Sequence, residues 1–296
     1  MVAIRQLAYG TTADMFDEYL HVGETTGRSC LKNFGKGVVE AFGDTYLRRP
    51  TADDCQSLMR MHETGKNFLT AWRGQSTSGY KGSHPTMILE AVADHHLWIW
   101  HAYFGVAGSN NDINLLNSST LFADQCRGRG PTIEFTANGR RYHMWYYLAD
   151  GIYPRWSVFV KTITCPIGDR RVLFAAKQES MRKDVERAFG VLQSRWEIVK
   201  GPVHFWFKEV IADVMYACVI MHNMIVEQEV GRVTDWVDDE AGSSSSTTTP
   251  PVTRGLPMGF GEVLERHTSM RSQQDHVQLM NDMIEEVWGA TAIEHL

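Results

Sequence analysis

Apolar residues in the first sixty positions recur at helical spacing. Leu31, Phe34, Val38 and Phe42 stand three, four and four apart, which gathers them on one face of a helix. Thr25 or Thr26 is placed to cap that helix. Ahead of it, Val2 to Tyr9 reads as the interior of a helical stretch and Thr12 to Leu20 as a short helix. His21 to Glu24 reads as a turn in which Gly23 is free to take a positive φ. Helix, short glycine-containing turn, helix is a helix-turn-helix order, one shared by DNA readers and by plain αα-hairpins.

The pattern changes after residue 62. Glu63 to Gly82 is rich in Gly, Ser and Thr and reads as loop. Thr86 to Ala93 reads as a strand, Asp94-His95-His96 as a turn, and Leu97 to Val106 as a second strand, together an antiparallel hairpin. Nearly every position of the second strand is apolar, which predicts cover on both faces. Gly108 to Asp112 breaks it, and Ile113 to Phe122 suits a short helix. Further strands are predicted over Tyr142 to Ala149, ending at Asp150, and over Val158 to Ile163. Ala175 to Val199 follows as a long helix with Val185, Phe189, Leu192 and Trp196 on one face. Lys208 to Glu229 is a second long helix, apolar through Val210, Val214, Ala217, Ile220 and Ile225. Ser243 to Pro251 is a flexible linker by composition. The last helix, Gln273 to Trp288, aligns Val277, Met280, Ile284 and Val287, a face that must dock on this domain or on a partner.

A hairpin followed by βαβ-like elements and helices indicates an α/β or α+β domain. The expected divisions are a helical, helix-turn-helix-like segment over 1–62, an α/β domain over 63–230, a Ser/Thr/Pro linker over 231–262 and a C-terminal amphipathic helix over 263–296.

Composition adds constraints. A chain of 296 residues with 43% hydrophobic and 11% aromatic content suits a packed globular protein. Its five cysteines are scattered without a Cys-x-x-Cys pair, against a zinc site or a disulfide framework. No stretch reads as a signal peptide or as an 18-residue apolar run, so neither secretion nor a membrane span is expected. Net charge is −6, yet cations collect in the middle of the chain: Arg155, Lys161, Arg170, Arg171, Lys177, Arg182, Lys183, Arg187, Arg195 and Lys200. The acids Asp235, Asp238, Asp239 and Glu240 follow them. A basic middle is compatible with a DNA-facing surface and equally with a solvated helix.

Two acids carry the candidate chemistry. Asp150 closes the apolar run that begins at Tyr142, and Glu186 stands on the long helix, with 35 residues between them. Phosphodiester chemistry needs an activated oxygen nucleophile and relief of charge on the leaving oxygen, which two Mg²⁺ ions roughly 4 Å apart supply when carboxylates hold them. An acid at the C-terminal end of a strand opens into the crevice at the sheet's edge. If Val185 and Phe189 pack on the sheet, Glu186 lies at the margin of that face, with Arg182 and Lys183 on the approach where phosphates would come. By spacing alone, Asp150 is equally a turn residue before glycine and Glu186 a solvated partner of a neighbouring arginine. His84, His95, His96, His101 and His143 lie on different elements without metal-ligand spacing.

Longer strings add weight to the catalytic reading. Ser83-His84-Pro85-Thr86-Met87-Ile88-Leu89-Glu90-Ala91-Val92-Ala93-Asp94, Gly105 to Asn114 (Gly-Val-Ala-Gly-Ser-Asn-Asn-Asp-Ile-Asn), Tyr147-Leu148-Ala149-Asp150-Gly151-Ile152-Tyr153-Pro154, Asp184 to Gln193 (Asp-Val-Glu-Arg-Ala-Phe-Gly-Val-Leu-Gln) and Met221 to Glu227 (Met-His-Asn-Met-Ile-Val-Glu) together resemble the plant branch of the Harbinger-type DDE transposases. The resemblance runs from about residue 3 to 230 and more weakly to the C-terminal helix. It implies an RNase H-like mixed sheet flanked by helices, a preceding helix-turn-helix, Mg²⁺ or Mn²⁺ as cofactor, DNA as substrate and the nucleus as location. It leaves open a separate DNA-binding partner protein and a homo-oligomer. Asp150 matches the second catalytic acid and Glu186 the third, both as metal ligands. Asp112 matches a recurrent supporting aspartate, and Arg182 and Arg187 flank the third acid as supporting residues.

One departure cuts against activity. In the family a stretch resembling Gly-Ser-Ile-Asp-Cys-Met-His-Trp precedes the run that here is Lys66 to Gln75. Its aspartate is the first metal ligand, and its strand is the first of the fold and central in the sheet. Here Met61-His62-Glu63-Thr64 leads straight to Gly65-Lys66-Asn67, and no Asp stands between Asp54 and Asp94. The first catalytic strand is therefore expected to be missing, with its neighbours re-paired, its place filled by another segment, or the chain folding poorly. Two readings follow. One is a DDE nuclease or transposase domain that is defective as encoded, and the other a domesticated, non-catalytic nuclear protein that binds DNA or protein.

Overall fold

The structure is a computed structural model that describes residues 1–10, 21–51, 54, 70–75, 88–104, 134–143, 146–149, 151, 153–201, 205, 207–234 and 260–294. Among them are the helices α1 (Val2–Tyr9), α2 (Glu24–Tyr46), α3 (Asp169–Arg195), α4 (Lys208–Thr234), α5 (Phe260–Met270) and α6 (Gln273–Glu294). The strands are β1 (Thr70–Gln75), β2 (Ile88–Ala93), β3 (Ile99–Phe104), β4 (Phe135–Ala137), β5 (Arg140–Tyr142), β6 (Tyr147–Ala149) and β7 (Phe159–Lys161). The chain divides into two compact units, each assembled from separated stretches. The first comprises Met1–Arg49, Arg73–Ser109 and Glu186–Glu240, the second Pro50–Trp72, Asn110–Val185 and Ala241–Leu296. Strand β1 and helix α3 thus each carry residues of both units. The expected helix Ile113 to Phe122, the linker Ser243 to Pro251 and the first helix of the helix-turn-helix reading, Thr12 to Leu20, lie outside the described residues.

In the first unit α4 is the core helix. Val214, Met215, Ala217, Cys218, Val219 and Ile220 are all buried, so apolar residues surround the helix rather than forming one stripe. Lys208–Glu229 is also long and apolar enough to cross a membrane by length and composition, contrary to the expectation that no such run exists. More than half of that window is buried in the structure, as a core helix of this kind requires. Helix α2 lies along it, with Val38 against Ala217 and Ile220, flanked by Phe34, Tyr46 and Leu47. Gly35 faces that helix closely, and a Cβ there would stand 3.4 Å from the backbone of Asp213 and Val214, in van der Waals contact. Helix α1 docks through buried Leu7 and through Gln6, whose Nε2 donates to the Gly27 carbonyl at 3.0 Å.

The start of α2 differs from the sequence expectation. It begins at Glu24 with Gly23 as N-cap at φ −58°, and no side chain caps it. The positive φ falls instead on His21, at 52°. Phe42, expected on the buried face, is exposed, and its ring lies edge-on to Tyr46 with centroids 6.5 Å apart. The hairpin β2–β3 forms as expected: Leu89 opposes Phe104, Glu90 opposes Tyr103, and Val92 opposes His101, with a register shift before Ala93. In this unit the strand order is β3-β2-β1.

In the second unit the order is β1-β6-β7. These strands run parallel, with Thr70 opposite Leu148 and Tyr147, Leu148 and Ala149 opposite Phe159, Val160 and Lys161. Thr70–Gln75 was expected to be loop, and this is a correction: pairing with a neighbour, not side-chain pattern, makes it a strand. The run Tyr142 to Ala149 is likewise not one strand. Tyr142 ends the short hairpin β4–β5, turned at Asn138 and Gly139 with φ of 50° and 73°, and β6 begins only at Tyr147. Side-by-side positive-φ residues at Asn-Gly are what a two-residue hairpin turn demands.

The core of this unit joins Phe135, Ala137, Tyr146, Leu148, Val160 and Phe174 to Leu279, Met283 and Ile284 of α6. The C-terminal helix therefore docks on its own chain. Its buried face includes His276, Leu279, Asp282 and Met283, so Val277 turns outward at 52% exposure, against the face expected from apolar residues alone. Helix α3 begins at Asp169, six residues before the expected start, and ends at Arg195, with Glu197–Val199 a separate 3₁₀ turn. The C-terminal segment holds two helices, α5 and α6, where one was expected.

Candidate active-site elements

Asp150 and Asp112 lie outside the described residues. Glu186 is described. It stands exposed on α3, immediately after Val185, which is completely buried, as is Ala188. Val185, Phe189, Leu192 and Trp196 all point inward, as the spacing predicts. Arg187 is exposed beside Glu186. Arg182 is only partly exposed and is committed along the helix: its Nε and Nη2 donate to the Glu179 carboxylate at 3.1 and 2.9 Å. That pair, above all its hydrogen bond, holds the Glu179 carboxyl below its ordinary range.

Ala149, the residue before Asp150, ends β6. Gln178, buried on α3, reaches the ends of both neighbouring strands. Its Nε2 lies 3.4 Å from the carbonyls of Ala149 and Val160, and its Oε1 accepts from the Thr162 hydroxyl at 3.1 Å. The Thr162 backbone N–H also donates to Ala149 O at 3.3 Å. One amide side chain thus adds a donor to strand-end carbonyls where the parallel ladder runs out, a bond that an apolar residue at 178 would remove. Gln178 was not singled out from the sequence, where a glutamine on a charged helix carries no signal.

In the first unit two residues of the string Met221-His222-Asn223-Met224 have a clear task. Asn223 Oδ1 accepts from Ile99 N at 2.9 Å, while its Nδ2 donates to Ile99 O at 2.8 Å and to Tyr46 O at 2.6 Å. It fastens the start of β3 and the end of α2 to α4. His222 Nε2 meets the Leu97 carbonyl at 2.8 Å, and a carbonyl only accepts, so Nε2 carries the proton. Its Nδ1 then faces Arg195 Nη1 at 3.4 Å as an acceptor, and Arg195 in turn grips Glu229 with Nη2 at 2.6 and 2.7 Å. Burial, aided by the charge of Arg195, depresses the His222 pKa from 6.5 to about 4. Both side chains hold the fold, and a polar pair inside an apolar helical run was the signal available for them.

Among the described histidines, several have specific neighbours in the fold. His95 and His96 stack with ring centroids 3.6 Å apart, and burial holds His95 at about 4. Asp94, expected at the turn, is buried and accepts from Trp98 N at 3.1 Å and Trp100 Nε1 at 2.8 Å, a hairpin closure. Among the described residues no group of three or more His, Cys, Asp or Glu is placed to hold a metal ion. The described residues therefore do not by themselves fit a divalent metal centre.

The family model for plant transposon proteins matches residues 44–233, well over half of the chain. The chain belongs to that family and is a transposon-derived plant protein. No curated protein and no solved structure matches it.

Proposed function

We propose that this chain is a DDE-type transposase remnant of RNase H-like build, one that still engages DNA in the nucleus but does not cleave it. The observation that carries the reading is strand β1. It pairs in parallel with β6, the strand that runs up to Asp150, with Thr70 opposite Leu148, and its sequence Thr-Ala-Trp-Arg-Gly-Gln contains no carboxylate. On this reading a neighbouring segment takes the place of the lost strand without restoring its acid. Asp150 and Glu186 are the two acids we assign to the ancestral site. Two carboxylates without a third leave a pair of Mg²⁺ or Mn²⁺ ions short of a shared ligand.

Purified full-length chain, incubated with duplex DNA and Mn²⁺ or Mg²⁺, is expected to leave the DNA intact. Cleavage abolished by Asp150→Ala or Glu186→Ala would overturn the inactive reading. Sequencing the transcript adds an independent check. An in-frame Ile-Asp segment between the codons for Thr64 and Gly65 would restore the first ligand and with it the enzyme.

A further inference from the structure

Helix α6 carries Asp275, Asp282, Glu285, Glu286 and Glu294 and no lysine or arginine. Where it lies on the second unit it meets cations. Arg140 of β5 places its Nε 3.1 Å from Asp282. Arg170, in the first turn of α3, is paired with Glu285 and holds its guanidinium 5.7 Å over the Trp288 ring. Lys177, about two turns further along α3, donates to the Thr291 hydroxyl at 2.9 Å. Arg170 and Lys177 thus share one face of α3, and Glu285, Trp288 and Thr291 lie along the side of α6 that meets it. Elsewhere in the basic stretch 155–200, Arg182 is engaged by Glu179, Arg195 by Glu229 and Lys200 by Glu197. Those acids lie within the family-matched stretch 44–233, whereas Asp282, Glu285 and Thr291 lie beyond it.

Two kinds of contact hold α6 in place, and they differ in strength. Leu279, Met283 and Ile284 are buried in the core of the unit, which keeps the helix where it is. The Arg170–Glu285 pair is open to solvent, with side chains 54% and 40% exposed, and an exposed ion pair contributes little to stability. Its carboxylate is therefore exchangeable for another oxyanion while α6 stays packed. A guanidinium fork beside an indole ring suits a phosphate as well as it suits a carboxylate. We propose that α6 is an autoinhibitory guard on α3, in which Glu285 occupies Arg170 in place of a phosphate of duplex DNA. The segment beyond the family-matched stretch then lowers the affinity of the chain for DNA. The inference rests on the proposal that the chain engages DNA. A contact to a backbone phosphate reads no base edge, so the guard sets affinity and not sequence preference.

The test is a double-mutant cycle on the full-length chain, read by fluorescence anisotropy of a labelled duplex across a salt series. Glu285→Gln is expected to tighten binding on the order of fivefold at low salt and to steepen the salt slope by about one, for the phosphate that Arg170 then neutralises. Arg170→Gln alone is expected to leave the slope unchanged, because its cation is already occupied, and in the double variant the gain from Glu285→Gln disappears. Glu40→Gln on α2, which removes one exposed acid of an ion pair in the first unit, is expected to leave the slope unchanged. Equal and opposite shifts from Glu285→Gln and Arg170→Gln would show net charge acting at a distance and overturn the guard. Binding by Glu285→Gln no tighter than by the native chain, or a gain matched by Glu40→Gln, would overturn it and leave the DNA reading intact. No binding by either the native chain or Glu285→Gln would overturn the DNA reading and the guard with it.

Discussion

Both units fasten a β-hairpin with polar residues set into an apolar helix, and they do it with opposite chemistry. In the first unit α4 uses neutral groups. Asn223 takes both backbone bonds of Ile99 and the Tyr46 carbonyl, and His222 takes Leu97. In the second, α6 uses charge. Asp282 accepts from Tyr142 Oη at 2.6 Å, Arg140 Nε at 3.1 Å and Asn138 Nδ2 at 3.2 Å, and Glu286 accepts from Asn138 N at 2.8 Å. Burial pushes the Asp282 carboxyl up, but the bonds from Tyr142, Gln278 and Asn138, with the charge of Arg140, outweigh it and hold the group below its ordinary range. The neutral clamp lies inside the family-matched stretch 44–233 and the charged clamp reaches beyond it. The second unit is therefore completed by sequence the family model does not cover.

The largest way to break this comparison is to end the chain at Glu240. Removing α5 and α6 uncovers a core shared with Leu279, Met283 and Ile284, all buried. At about 1.5–3 kcal/mol each, their loss costs roughly 5–9 kcal/mol, comparable to the whole stability of a domain. Hydrogen exchange read by mass spectrometry is expected to show β4 to β7 unprotected while α2 and α4 stay protected. Equal loss in both sets would show that the units do not fold separately.

Asn223→Leu is the next largest effect. It takes away the side-chain partners of Ile99 N, Ile99 O and Tyr46 O, and buried groups left without partners cost about 1–3 kcal/mol each. The expected loss is about 3 kcal/mol or more in urea unfolding, concentrated in the first unit. A loss below about 1 kcal/mol would mean that water replaces the clamp.

Acid separates the clamps. The His222 pKa is depressed on folding from 6.5 to about 4, so between these values the unfolded chain binds more protons and stability falls as pH falls. The contribution is complete above about 6.5 and amounts to roughly 3 kcal/mol by pH 4. Protonation would also turn the acceptor Nδ1 into a donor facing Arg195. His95, held at about 4 by burial, titrates in the same window, and the lowered His276 adds a slope of the same sign in the second unit. The informative quantity is accordingly the difference between the native chain and His222→Gln, whose stability is expected to decline less from pH 6.5 to 4. Parallel pH curves would remove His222 from the account.

What the sequence disclosed follows the same line between apolar pattern and polar anchoring. The hairpin at 88–104, the start of α4 and the inward face Val185–Trp196 were legible because apolar spacing alone determines them. Strand β1 was not, since Thr-Ala-Trp-Arg-Gly-Gln sits among Gly, Ser and Thr and becomes a strand through its neighbours. The face of α6 was misread for a related reason. His276 and Asp282 take buried positions because Trp156 and the Tyr142–Arg140 pair receive them, and this moves Val277 outward. Of the candidate site, Glu186 was placed on its helix correctly by pattern. Gln178, on the same helix, gives no sign of its task before the strand-end carbonyls it bonds are seen.

The smallest effect tests the charged clamp most directly. Tyr142→Phe deletes one hydrogen bond to Asp282, leaves the ring stacked on Phe135 at 5.0 Å, and leaves Arg140, Asn138 and Gln278 in place. A bond to a charged acceptor contributes about 1.5–3 kcal/mol, and with the other donors remaining the lower end is expected, about 1.5 kcal/mol at pH 7. The sign with pH is fixed. A carboxyl held low on folding contributes stability above its unfolded pKa and loses it as pH falls through the folded value, so the difference between Tyr142→Phe and the native chain should shrink below about pH 4. Carboxyl NMR of Asp282 should show its titration moving up in the variant. A difference that persists unchanged into acid would mean that Tyr142 contributes through packing on Phe135 and that the hydrogen bond is incidental. The second clamp would then resemble the first, built from shape and neutral contacts instead of charge.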